Sequence, residues 1–263
     1  MIKRELKVNL KSFIIWSSIL IAIFLLVYLI YPFIITDATM KDLDELMKVF
    51  PPEVLKAFNM DIASISTAYG WFKSEGFMFV LLIMGLYSSI LGGSILLREE
   101  NDKTIEYLSS LPIKRSNIVT NKVIVGILYV LGISILFGIF NYISLLISCE
   151  FDQLQFLLLS IIPIFVTLPL FAINLFISTF MHKTKLTIGI SLGMVFIFYI
   201  LNTVSELSSN VEFLKYFSLY TLADVRNVMT EVAINPVMIL ISLGITAVFI
   251  VASYINYNKK ELL

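Results

Sequence analysis

The chain is 263 residues long, 59% hydrophobic and 14% charged, with 19 basic and 19 acidic residues and no net charge. Soluble domains carry about 25% charged residues, so an ordinary soluble globular protein is excluded, and no nucleic-acid partner is expected. One cysteine, Cys149, and one histidine, His182, exclude an intrachain disulfide and a zinc or haem site within the chain.

The first element predicted is an amphipathic helix over residues 1–13, with Ile2, Leu6, Leu10 and Phe13 at helical spacing and Lys3, Arg4, Lys7 and Lys11 on the other faces. Such a helix rests in the headgroup layer, or fixes orientation as a basic stop. An uncharged apolar run follows at 12–35. It is too long for a signal-peptide core and ends without a small-residue cleavage pattern, so it reads as a retained anchor. Five further runs without Asp, Glu, Lys, Arg or His lie at 76–97, 123–148, 154–180, 186–204 and 232–257. Hydrocarbon about 30 Å thick needs roughly 20 helical residues. None of these runs alternates as barrel strands would. The expectation is an all-α membrane protein, a single six-span domain over 1–263.

The connections alternate in charge. The N-terminus, second and fourth connections and tail hold 13 of the 19 basic residues and 6 of the 19 acidic ones. The positive-inside rule then places both termini in the cytoplasm. In the first outer connection, Leu43, Leu46, Met47 and Phe50, then Val54, Leu55 and Phe58, mark two short helices separated by Pro51-Pro52. In the second span Gly85, Ser89 and Gly93 recur every four residues beside Gly92, and Gly189 and Gly193 do the same in the fifth; such faces pack closely in lipid. The cytoplasmic connection 98–122 predicts a short amphipathic helix: Ile105, Leu108 and Leu111 share a face, with Glu99, Glu100, Lys103 and Glu106 around it. Pro112 ends that helix and Ser116 is a suitable N-cap for the third span.

Glu150 to Gln153 form a short acidic outer turn, and His182, Lys183, Thr184 and Lys185 a basic inner one. Pro163 and Pro169 should kink the fourth span, and Asn141, Asn174 and Asn202 should hydrogen-bond between helices. The fifth connection, with Phe213, Leu214, Tyr216, Phe217, Leu219 and Tyr220, is too apolar for an ordinary loop. It predicts a helical hairpin dipping into the outer leaflet, capped by Thr221 and Asp224. No ionisable residue falls inside the runs, which disfavours ion-coupled transport. No base or ligand set for an intramembrane protease is present, and no phosphate-binding G-x-x-x-x-G-K-[ST] loop occurs.

The stretch Leu97-Arg98-Glu99-Glu100, Thr104-Ile105-Glu106-Tyr107-Leu108 and Leu111-Pro112-Ile113-Lys114-Arg115 resembles the segment after the second span in permease subunits of type-2 ABC exporters. The likeness extends over the whole chain, including the Pro51-Pro52 loop and the aromatic loop before the sixth span. Asn101-Asp102 stand where many relatives have lysine or glycine before the threonine. The resemblance implies that 98–112 is a coupling helix, with Glu99, Glu100, Lys103, Thr104, Glu106, Tyr107, Leu108, Leu111 and Pro112 meeting a separate ABC ATPase. It implies a connecting helix at the N-terminus and a dimer with a second permease, its path lined by the second and fifth spans near Gly85, Ser89, Gly93, Gly189 and Gly193. ATP and Mg would be bound and used on the partner, with no cofactor or catalysis on this chain, in a bacterial-type plasma membrane. An amphipathic peptide, lipid-like molecule or drug would suit as cargo. The alternative is a non-transporting scaffold or immunity protein that binds a peptide or lipid at its outer face.

Overall fold

The computed structural model describes residues 1–34, 36, 39, 41, 45, 48, 49, 67–105, 113–223 and 225–260. Among them, six helical segments are long and apolar enough to cross a membrane. The helices are α1 (Ile2–Ile34), α2 (Ala68–Trp71), α3 (Phe77–Ile95), α4 (Arg98–Asn101), α5 (Arg115–Ser148), α6 (Gln153–Ile161), α7 (Pro163–Ser178), α8 (Thr184–Leu207), α9 (Val225–Glu231) and α10 (Pro236–Lys259). The spans are α1, α3, α5, the α6–α7 pair, α8 and α10. The outer-loop helices expected around Leu43 and Val54 lie outside the described residues.

Several boundaries differ from the hydropathy runs. The N-terminal segment is not a separate helix: α1 continues through it without a break for 33 residues. Helix α5 likewise begins at Arg115, well before the apolar run, so Ser116 lies inside the helix rather than at its cap. Helix α3 is preceded by α2 and one π turn, Phe72–Gly76, where the Trp71 ring lies against Gly76. The sixth span starts at Pro236, four residues later than expected. Val232 takes a left-handed φ of 52°, and the Asn235 side chain accepts from Val237 N at 3.0 Å while Pro236 occupies the first helical turn.

Packing centres on α3 and α7. In the second and fourth spans 61% of the apolar window is buried, against 17% in the fifth and sixth. The closeness has a steric cause. A Cβ on Gly92 would strike the Phe171 carbonyl oxygen, and one on Gly126 would strike the Phe171 ring. Gly92 thus lets α7 sit backbone to backbone on α3, and Gly126 makes room on α5 for the Phe171 ring. Phe24 on α1 meets Phe137 on α5 at 4.8 Å between ring centroids, and the Tyr28 hydroxyl donates to Asn141 Oδ1.

Pro163 starts α7, and Pro169 sits within it. Pro169 cannot donate to the carbonyl of Phe165, four residues back. Ser242 Oγ on α10 donates to that carbonyl at 2.7 Å, so the fourth and sixth spans are joined where the proline opens the ladder. Asn174 differs from expectation: its amide donates to Leu170 O of its own helix at 2.8 Å. Asn202 accepts from Thr221 Oγ1 at 3.1 Å.

The outer hairpin is mostly 3-10 helix, Ser209–Phe217 and Leu219–Ala223, followed by α9. Thr221 does not open a helix as a capping residue; its hydroxyl donates to Lys215 O at 2.6 Å and holds the hairpin turn. Ser218 Oγ donates to Phe198 O at 2.6 Å, which fastens the hairpin to α8. Gln155 on α6 accepts from Tyr69 Oη at 3.1 Å and donates to Met229 O at 3.0 Å, so it ties α2 and α9 to the fourth span.

Candidate functional site: a polar knot at the basic end

The expected single helix through 98–111 is broken. Helix α4 ends at Asn101, and Lys103 takes a left-handed φ of 54°. Thr104 N donates to Glu99 O at 2.9 Å and Lys103 N to Glu100 O at 3.3 Å. This is the paired closure of a helix whose C′ residue is left-handed, a position glycine fills most readily. Ile105 beyond it is buried. Glu106, Tyr107, Leu108, Leu111 and Pro112 lie outside the described residues.

Each side chain of α4 reaches a different element. Arg98 Nη1 donates to Asn9 Oδ1 on α1 at 3.0 Å. Glu99 Oε2 accepts from Lys122 Nζ on α5 at 2.6 Å. Glu100 accepts through Oε1 from Lys260 Nζ, just past α10, at 2.6 Å, and its Oε2 lies 3.2 Å from His182 Nδ1 in the turn before α8. The Asn101 amide donates to Thr184 Oγ1 at the start of α8 and to Leu97 O at 2.7 Å.

Lys122 is the centre of this knot. It is fully buried, and its ammonium has three acceptors: Glu99 Oε2, Ile95 O at 2.6 Å and Glu5 Oε2 at 3.4 Å. An ammonium carries three protons, so the group is satisfied. Glu5 and Glu99 are each 2% exposed. Asn9, itself buried, donates to Glu5 O at 2.9 Å and receives Arg98, so the buried face of α1 begins with polar residues. Lys260 Nζ also donates to Met181 O at 2.6 Å. Arg115 Nη1 donates to Lys260 O at 2.7 Å and so holds the carbonyl end of α10, where a cation is favoured.

Glu99 and Glu100 are therefore turned inward, each on a lysine of the same chain. Lys103 is exposed, and the Thr104 hydroxyl is buried without a partner. The small residues divide. Gly85 faces Tyr220 and Leu170, Ser89 is wholly buried, and Gly93 lies against Ser191 and Thr187 of α8. Gly189 and Gly193 are exposed and meet nothing within 4 Å.

Four members of the knot escaped the sequence reading: Glu5, Asn9, Lys122 and Lys260. The expectation that the bundle holds no ionisable group fails at this end, because α1 and α5 extend past their apolar runs and carry Glu5 and Lys122 inside. A signal existed in Glu5, the one acid among the basic residues 3–11, four before Asn9 and eight before Phe13. That spacing puts all three on one helix face.

The chain thus has six candidate spans, with the loop at its basic end locked to four other elements. Residues 1–262 match the family model described as ABC-2 family transporter protein, and the chain belongs to that family. It is a multi-pass membrane protein with a permease role. A search of curated proteins found no match.

Proposed function

We propose that this chain is the permease subunit of an ABC exporter, paired with a second permease and driven by a separate ATPase that binds and hydrolyses ATP with Mg. The observation that carries the reading is the four-way attachment of Arg98–Asn101. A displacement imposed on residues 98–112 is transmitted through Arg98 to α1, Glu99 to α5, Glu100 and Asn101 to α8, and Glu100 to the end of α10. In this reading Glu99 and Glu100 transmit the stroke. Contact with the ATPase falls to the residues beyond them, Lys103, Thr104, Glu106, Tyr107, Leu108, Leu111 and Pro112.

The basic end then faces the cytoplasm of a bacterial-type plasma membrane, as the loop charges require. The open face of α8, with Gly189 and Gly193, offers the second permease a close approach. Gly85, Ser89 and Gly93 lie behind it, packed within the same chain, and support α3 and α8 rather than line the path. Exposed Phe213, Tyr216 and Phe217 at the other end suit release of an amphipathic or lipid-like cargo.

The test is the double variant Glu106→Ala/Leu108→Ala, co-expressed with the cognate ATPase. Insertion should persist while ATP hydrolysis proceeds without export. Unchanged export would refute the assignment of this stretch.

A further inference from the structure

The basic end carries a second feature that the knot does not use. A cleft of about 470 Å³ lies between the start of α1 and the start of α5, lined by Met1, Ile2, Lys3, Ile113, Asn117 and Asn121. Its depth follows from helix length. Helices α1 and α5 have 33 and 34 residues, about 50 Å each, whereas hydrocarbon takes up roughly 20 residues. The uncharged runs begin after Lys11 on α1 and after Lys122 on α5, so the surplus turns of both helices emerge at this end. The cleft between those turns sits at headgroup level.

Its charge is equally one-sided. Lys3, Arg4, Lys7 and Lys11 are all exposed, as is Lys114 just before α5. The carboxylates of Glu5, Glu99 and Glu100 are withdrawn into the interior at 3% side-chain exposure, the first two sharing Lys122 and the third on Lys260. Among the described acidic residues of this end, Asp102, at the C-terminal cap of α4, is exposed. The cleft combines the Lys3 ammonium, the Asn117 carboxamide and apolar walls from Ile2 and Ile113, while the Asn121 amide donates to Asn117 O at 2.7 Å and Met1 Sδ at 3.5 Å and so joins the start of α1 to α5. That combination matches a phosphate on a glycerol bearing acyl chains, the chemistry of an anionic phospholipid head.

We propose that this cleft is a binding site for the headgroup of an anionic glycerophospholipid, which seats the start of α1 against α5. The proposal rests on the spanning of the membrane by α1 and α5 and does not require an ATPase partner. Native mass spectrometry of the full chain, released from nanodiscs of mixed phosphatidylglycerol and phosphatidylcholine, reads the lipid retained. The expected result is preferential retention of phosphatidylglycerol. The double variant Lys3→Gln/Asn117→Leu should lower it by about fivefold, the scale of one lysine near an anionic surface, while Lys183→Gln, at the same end but outside the cleft, leaves it unchanged. Lys3→Gln alone, at an exposed position, should give a decrease in the same direction and guards against a folding defect in the double variant. Equal retention of both lipids would overturn the proposal. So would a loss as large in Lys183→Gln, which would reduce the effect to general surface charge. Glycerol phosphate in solution should fail to displace the lipid at millimolar concentration; efficient displacement would make the site one for a free phosphate ester.

Discussion

A wholly buried ammonium is tolerable at Lys122 because every proton has an acceptor and two of those acceptors are carboxylates. Removing one partner of such a group leaves an uncompensated buried charge, at a cost of about 3–5 kcal/mol. Lys122→Met should accordingly lower the apparent melting temperature and the monodisperse yield of detergent-purified protein sharply. Replacing all three partners, Glu5→Gln/Lys122→Met/Glu99→Gln, should recover most of that loss, since a neutral isostere of a buried ion cluster is often as stable as the cluster. A single variant as stable as the parent would show that water reaches this site. Sequence reading found Glu99 and Glu100 but assigned their carboxylates outward, because helical periodicity shows that a residue flanks an apolar face and not which neighbour approaches from another span. Lys122 was missed for the same reason: it stands at the edge of an apolar run, where snorkelling to the headgroups is the ordinary fate of a lysine.

For the helices, hydropathy was sufficient to place all six spans, since length and composition alone decide what hydrocarbon accepts. Boundaries were legible only where the chain carries its own punctuation. Asn235-Pro236 provides such a signal and was overlooked, whereas nothing at Lys103 announces a left-handed residue. The glycine pattern marked the second and fifth spans as close-packing faces without saying what each glycine meets. Gly93 does face the fifth span, but it meets Thr187 and Ser191 rather than Gly189 and Gly193. This difference separates two substitutions of identical chemistry. Gly92→Ala forces a methyl into the backbone of α7 and should cost about 1–3 kcal/mol, read as a fall in thermal stability of the purified protein. Gly189→Ala enters open space within a helix and should hold or slightly raise that stability. Equal effects would mean that α3 and α7 are farther apart than their packing here.

Across the whole molecule, the alternation of loop charge gives a definite orientation that labelling can check. In a Cys149→Ser background, Glu150→Cys should react with an impermeant maleimide on intact cells, and Lys183→Cys only after permeabilisation; both positions are exposed. The opposite pattern would invert the protein and move residues 98–112 away from any cytoplasmic ATPase. The family and the six-span frame were legible throughout the chain, while the knot was not, because its members are drawn from residues 5 to 260 and meet only in three dimensions. That spread has a consequence for biogenesis. Glu99 waits for Lys122 until the third span has been inserted, and Glu100 waits for Lys260, which leaves the ribosome after the last span. A partly synthesised permease therefore holds an unfastened loop, which is tied down only once the sixth span and Lys260 have been made.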